Sequence, residues 1–192
     1  MVGLRGVRLS LARPALFLNL PMRNAGDHRW PSGEPAYASL RSLLRSPPAW
    51  DVAGREVYVC ENPNLLAIAA DHWGAACAPM VCTDGMPGAA QRCLLSQLAG
   101  QAAQLRYHGD FDWGGLRIGN LVMREHGAQP WRFTAQDYAA AVRTAPGLAK
   151  PLEGRPVEAT WDRALAAAMQ EHQVSIAEEA LSASLLPDLA VR

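Results

Sequence analysis

The 192-residue sequence predicts an α/β fold, a mostly parallel four-stranded sheet with helices on both faces. Three observations predict it. Short apolar runs alternate with longer amphipathic segments, the connections between them are brief, and Gly, Pro, Asn or Asp punctuate the junctions. With 49% hydrophobic and 19% charged residues, the chain has the side chains for a normal core. No apolar run approaches the roughly 20 residues that a helix needs to cross a bilayer. The opening stretch is too interrupted by Arg and Pro for a secretory signal. A cytoplasmic location and no membrane partner are therefore expected.

Taken in order, residues 15–21 (ALFLNLP) read as a short strand, and 22–35 form a loop. AYASLRSLLRS (36–46) spaces Leu40, Leu43 and Leu44 as a helix does, and Pro47 and Pro48 end it. REVYVCEN (55–62) reads as a buried strand. Pro63 starts a helix that Gly74 stops. APMVCT (78–83) is a second core strand, followed by the turn DGMPG and a helix over AAQRCLLSQLAGQ. QLRYHGDFD (104–112) is the third, with Gly114–Gly115 opening the next helix. QPWRF (129–133) is the fourth, and Thr134 caps the helix AQDYAAAVR. A Pro- and Gly-rich stretch (145–160) then leads to two helices, 161–173 and 175–186. The chain thus divides into a basic N-terminal extension (1–54) packing on the core, a strand–helix core (55–145), and a C-terminal linker with two helices (146–192).

Net charge is zero but unevenly spread. Residues 1–55 hold eight Arg against three acids, while 151–192 hold seven acids against three Arg. The basic front end suits nucleic acid, a solvated surface, or the acidic tail. Cys60, Cys77, Cys82 and Cys93 form no CxxC pair, so reduced, mostly buried thiols are expected and not a zinc site.

Chemistry is suggested by what stands at the strands' carboxyl ends, where open α/β sheets form their sites. The first core strand ends in Glu61, the second in Thr83-Asp84-Gly85, and the third in Asp110-Phe111-Asp112. Closely packed carboxylates repel one another, and a cation relieves them; oxygen-only ligation suits Mg²⁺ or Mn²⁺. A metal there can polarise a phosphoryl oxygen and activate water. A helix cap is the plainer reading of any one of these acids.

VYVCENPNLL, VCTDGMPGAA and LRYHGDFDWGGLRI together resemble the Toprim-like C-terminal domain of JetD-type proteins, the DNA-cleaving subunits of Wadjet anti-plasmid systems. More distantly, they resemble the Toprim domain of topoisomerase VI and its meiotic recombination relatives. The resemblance spans roughly residues 15–190. It implies a Toprim-like (Rossmann-like) fold, a Mg²⁺ site on Glu61, Asp110 and Asp112, DNA as substrate, and SMC-like complex subunits as partners. It also implies an upstream winged-helix-type DNA-binding portion that these residues do not include, so the chain reads as truncated or as an excised domain. The tyrosine nucleophile of topoisomerase VI belongs to that portion. Tyr58 and Tyr107 lie within strands, so water is the expected nucleophile. Asp84 departs from the small polar residue expected there, and is either a further metal ligand or an obstacle to phosphate.

Around this set, His108 is either a general base or a structural histidine. Thr83, Gly85 and Arg117 are candidate phosphate contacts, and Trp113 flanks the site. Glu178 and Glu179 resemble the family's C-terminal acidic pair, but a solvated helix face is their plainer reading. The expected function is a Mg²⁺-dependent DNA endonuclease domain of an anti-plasmid complex. The alternative is a non-catalytic module binding DNA or a partner, and a small-molecule phosphoryl-transfer enzyme comes third. The absence of a Walker motif or GxGxxG speaks against nucleotide binding.

Overall fold

The computed structural model describes residues 13–23, 30–144 and 146–191. The first twelve residues of the basic extension and residues 24–29 of the expected loop lie outside these. The core is a six-stranded sheet in the order β2-β1-β4-β3-β5-β6. Its centre is built from β3 (Glu56–Cys60), β4 (Met80–Cys82) and β5 (Gln104–Tyr107). Val57, Val59, Cys60, Met80, Val81 and Cys82 are all fully buried, as both faces of a helix-covered parallel sheet require. β3 pairs in parallel with β4 on one side and with β5 on the other, and β5 with β6 (Gln129–Pro130).

Two more strands extend the sheet beyond the expected four. β1 (Ala15–Leu18) runs antiparallel to β4, and β2 (Ala36–Ala38) runs antiparallel to β1. The N-terminal extension is thus part of the sheet itself. The helix expected over 36–46 is shorter, α1 (Leu40–Arg45). Ser39 accepts a hydrogen bond from the Ser42 N–H at 3.1 Å and starts the helix there. Before it, Ala36 and Ala38 turn inward and Tyr37 outward, the period of a strand.

The helices between core strands fall where the apolar spacing put them: α2 (Pro63–Trp73), α3 (Ala89–Gly100), α4 (Trp113–His126) and α5 (Ala135–Thr144). At the start of α5, Thr134 and Asp137 exchange hydrogen bonds in a capping box. The tail departs from two plain helices. α6 (Arg163–His172) is flanked by β7 (Lys150–Pro151) and β8 (Val174–Ser175), which pair as a small antiparallel ribbon. Where a helix over 175–186 was expected, a 3₁₀ turn (Glu178–Leu181), a short α7 (Ser182–Leu185) and a second 3₁₀ turn follow. QPWRF keeps only two strand residues, because Arg132 takes a left-handed conformation (φ 45°). No helix among the described residues is long and apolar enough to cross a membrane.

This strand order fixes where a site can form. The connection from β3 runs through α2 to β4 on one side. The connection from β5 runs through α4 to β6 on the other. The carboxyl ends of β3 and β5 therefore flank a topological switch point, where departing chains leave a crevice.

Candidate functional site

Glu61 directly follows β3, and Asp110 lies three residues beyond β5, so the switch point brings the two together. The Asp110 N–H donates to Glu61 Oε2 at 3.2 Å. Asp112 follows on the same turn as the N-cap of α4, its Oδ1 accepting from the Gly115 N–H at 2.7 Å. Asp112 therefore fills the plain role of a helix cap while its charge bears on both Glu61 and Asp110. Two glycines make the turn possible. A Cβ on Gly109 would stand 2.5 Å from Tyr107 Oη and 2.8 Å from Glu61 Oε2, and one on Gly115 would overlap the Asp110 carbonyl oxygen.

A fourth acid closes the arrangement. Glu178 is fully buried (0% exposed), not on a solvated helix face. Its carboxylate accepts from the Glu61 N–H (3.0 Å to Oε2) and the Asn62 N–H (2.6 Å). Its own N–H donates to Asp110 Oδ1 at 2.7 Å. Glu61, Asp110 and Glu178 thus form a ring in which each carboxylate accepts from another member's backbone. Asn62, the N-cap of α2, ties Glu179 to the ring through its side-chain amide at 2.6 Å.

The ring satisfies backbone donors but leaves charge uncompensated. Burial, then the neighbouring Asp110 charge, pushes Glu61 up to about 8. Burial raises Asp110, and raises Glu178 well above the usual carboxylate range. Glu61 Oε1, Asp110 Oδ2 and Asp112 Oδ2 accept no hydrogen bond from the described residues. The Tyr107 hydroxyl is buried against Glu61, close enough to favour its charged form yet without a full hydrogen-bond partner. This donor set fits a hard divalent cation: three free carboxylate oxygens, a shortage of positive charge, and no sulfur or imidazole. Among the described residues, no group of three or more His, Cys, Asp or Glu is placed so that it could hold a metal ion.

The other residues singled out by sequence fall elsewhere. Asp84 (φ 52°) forms an ion pair with Arg13, both side chains about half exposed, so its carboxylate is engaged by a guanidinium. Thr83 is fully buried and donates its hydroxyl to the Cys60 carbonyl at 3.3 Å. The Gly85 N–H donates to the Glu61 carbonyl at 3.2 Å. Neither offers a free donor to a phosphate. His108 points into an aromatic nest of Phe111, Trp131 and Phe133, with Nδ1 at 2.9 Å from the Trp131 carbonyl. Burial lowers it to about 4, and Asp137 and Arg132, not the strand-end acids, are the charges acting on it. Trp113 is buried in the core. Arg117 is exposed on the first turns of α4, with no hydrogen bond or ion pair among the described residues. Cys60, Cys77 and Cys82 are buried and Cys93 partly so, all as free thiols.

The family model described as "Protein of unknown function C-terminus (DUF2399)" matches residues 36–189, which take in all of β2 to α7 and the whole carboxylate ring. No curated protein matches the chain.

Proposed function

The chain belongs to the DUF2399 C-terminal family, and from that premise we propose that it is a Toprim-like, Mg²⁺- or Mn²⁺-dependent DNA endonuclease domain. Glu61, Asp110 and Asp112 hold the ion, and water is the nucleophile. The observation that carries this reading is the meeting of Glu61 and Asp110 at the switch point, each with a carboxylate oxygen that accepts no hydrogen bond from the described residues. Of the three motifs that resemble the Toprim-like domain of JetD-type proteins, two carry Glu61, Asp110 and Asp112, and the third is tied to Glu61 through the Gly85 N–H. By that resemblance, the domain serves in an anti-plasmid complex with SMC-like subunits.

A divalent ion at such a site neutralises charge on a phosphoryl oxygen and acidifies water. The chain's own residues do the rest. Glu178 fixes the backbone of Glu61 and Asn62, and Asp112 anchors the start of α4. Arg117 faces solvent one turn on, where a guanidinium can pair with a phosphate. His108 takes no part in proton transfer, because its ring is buried away from the carboxylates.

The test is a supercoiled-plasmid nicking assay with Mg²⁺ or Mn²⁺, run beside calorimetric titration of the ion. Asp110→Asn keeps an oxygen for the Glu178 N–H but removes the charge. It should lose cleavage by at least about a hundredfold while staying folded. Full cleavage by this variant, or a covalent tyrosyl–DNA adduct, defeats the hydrolytic metal reading. Ion-dependent DNA binding without cleavage would instead make this a non-catalytic Toprim-like module.

A further inference from the structure

The proposed chemistry gives no role to the chain's one lysine. Lys150 is the only lysine in a chain with seventeen arginines. It is exposed and, among the described residues, its ammonium makes no hydrogen bond or ion pair. Its backbone is firmly placed. β7 pairs with β8 in the register Lys150↔Ser175, and the Ser175 hydroxyl donates to the Lys150 carbonyl.

One residue beyond β8, the chain docks on the acidic turn. Phe111, the middle residue of Asp110-Phe111-Asp112, and Ile176 exchange backbone hydrogen bonds of 2.9 and 3.3 Å. Two residues on, the Glu178 N–H holds Asp110 Oδ1. The ribbon is thus bolted to the acidic turn at two consecutive points, and Lys150 sits opposite the residue that precedes the first.

We propose that Lys150 is a phosphate-contact residue, its backbone held by the β7–β8 ribbon beside the acidic turn so that its free ammonium pairs with a backbone phosphate of DNA entering the crevice. The inference rests on the DNA-cleavage reading, but it concerns the contact and not the ion. An ammonium on a flexible stem suits this place: it supplies a point charge to phosphate without demanding the planar geometry of a carboxylate–guanidinium pair. It also counters the charge of an anionic polymer brought up to an acidic ring.

Because the chain has a single lysine, an amine-reactive acetylating reagent modifies one side chain besides the amino terminus. The full chain is acetylated with and without supercoiled plasmid in Ca²⁺, and Lys150 modification is read by mass spectrometry. Plasmid should slow acetylation of Lys150 at least about fivefold, and salt should abolish the protection. In parallel, Lys150→Gln should lower plasmid nicking at least about tenfold and Lys150→Arg should recover part of it. Mn²⁺ affinity in Lys150→Gln should be unchanged or tighter, since a repelling cation is gone. Equal acetylation with and without plasmid overturns the proposal, as does wild-type nicking by Lys150→Gln. If the wild-type chain binds plasmid and protects Lys150 but never nicks it, the contact stands and the nuclease reading falls. If neither protection nor nicking occurs, both fall.

Discussion

Replacing Glu61 with Gln separates the electrostatics of the site from its architecture. Glu61 is shifted from its usual 4.5 to about 8, chiefly by burial and then by Asp110. Between these values the native state retains a proton that the unfolded chain has released. Apo stability therefore falls as pH rises, by up to about 1.4 kcal/mol per pH unit. At pH 7 the accumulated cost is about 3 kcal/mol. Gln reproduces the protonated carboxyl in shape and keeps an oxygen for the Asp110 N–H, but has no charge to lose. Glu61→Gln should match the wild type near pH 4.5 and exceed it by up to about 3 kcal/mol at pH 7. For a chain of this length that is a Tm increase of roughly 6–12 °C. Asp110 and Glu178 shift the same way, so the variant's pH slope becomes shallower without vanishing. Mg²⁺ should raise the Tm of the wild type and leave that of the variant unchanged. The assay is a set of thermal melts from pH 4.5 to 8.5 with and without Mg²⁺. A variant less stable than wild type at pH 8, with the same pH slope, would refute the reasoning.

The rest of the site yields three further expectations. Glu178→Ala leaves the buried N–H groups of Glu61 and Asn62 without their acceptor and should cost about 2–3 kcal/mol in urea unfolding; a neutral result would mean the ring contributes nothing to the fold. Gly115→Ala drives a methyl group into the Asp110 carbonyl, so soluble expression or Tm should drop sharply, and a wild-type Tm would mean the acidic turn gives way freely. His108 is held down at about 4 by burial, so its share of stability is complete above pH 6.5 and is lost as pH falls toward 4. His108→Gln should accordingly remove part of the acid lability while changing nicking per folded molecule less than about threefold, and a hundredfold loss in a folded variant would return His108 to the chemistry.

The three central strands were legible because each apolar run stops at a turn signal, and the acids following β3 and β5 were legible for the same reason. What a linear pattern lacks is the identity of distant neighbours. Asp84 read as either a further ligand or an obstacle to phosphate, and the pattern gave no sign that Arg13, 71 residues away, pairs with its carboxylate. His108 adjoins the acidic turn in sequence, yet alternation along the chain sends it to the opposite face from Tyr107. Three-residue β2 was lost inside a helical pattern that only begins at Leu40. Glu178 was the costliest miss, and it left a signal. At helical spacing it falls on the stripe shared with Leu181 and Leu185, both buried, and an acid on an apolar stripe calls for a buried partner. The partners it found are backbone amides 116 and 117 residues upstream, which no periodicity reveals.

That long reach has a consequence for how the protein is made. Glu61 and Glu178 lie 117 residues apart, and the contact between them closes most of the chain into one loop. Contacts of such separation form late, after the entropy of the intervening segment has been overcome. During synthesis, a nascent polypeptide that has passed Asp112 already possesses the central strands and the acids proposed to hold the ion. Their backbones stay unclasped until the last fifth of the chain emerges and docks through Phe111 and Ile176. Assembly of the acidic centre is thereby timed by translation, and an interrupted product stopping short of Glu178 carries Glu61 and Asp110 without the clasp that joins them.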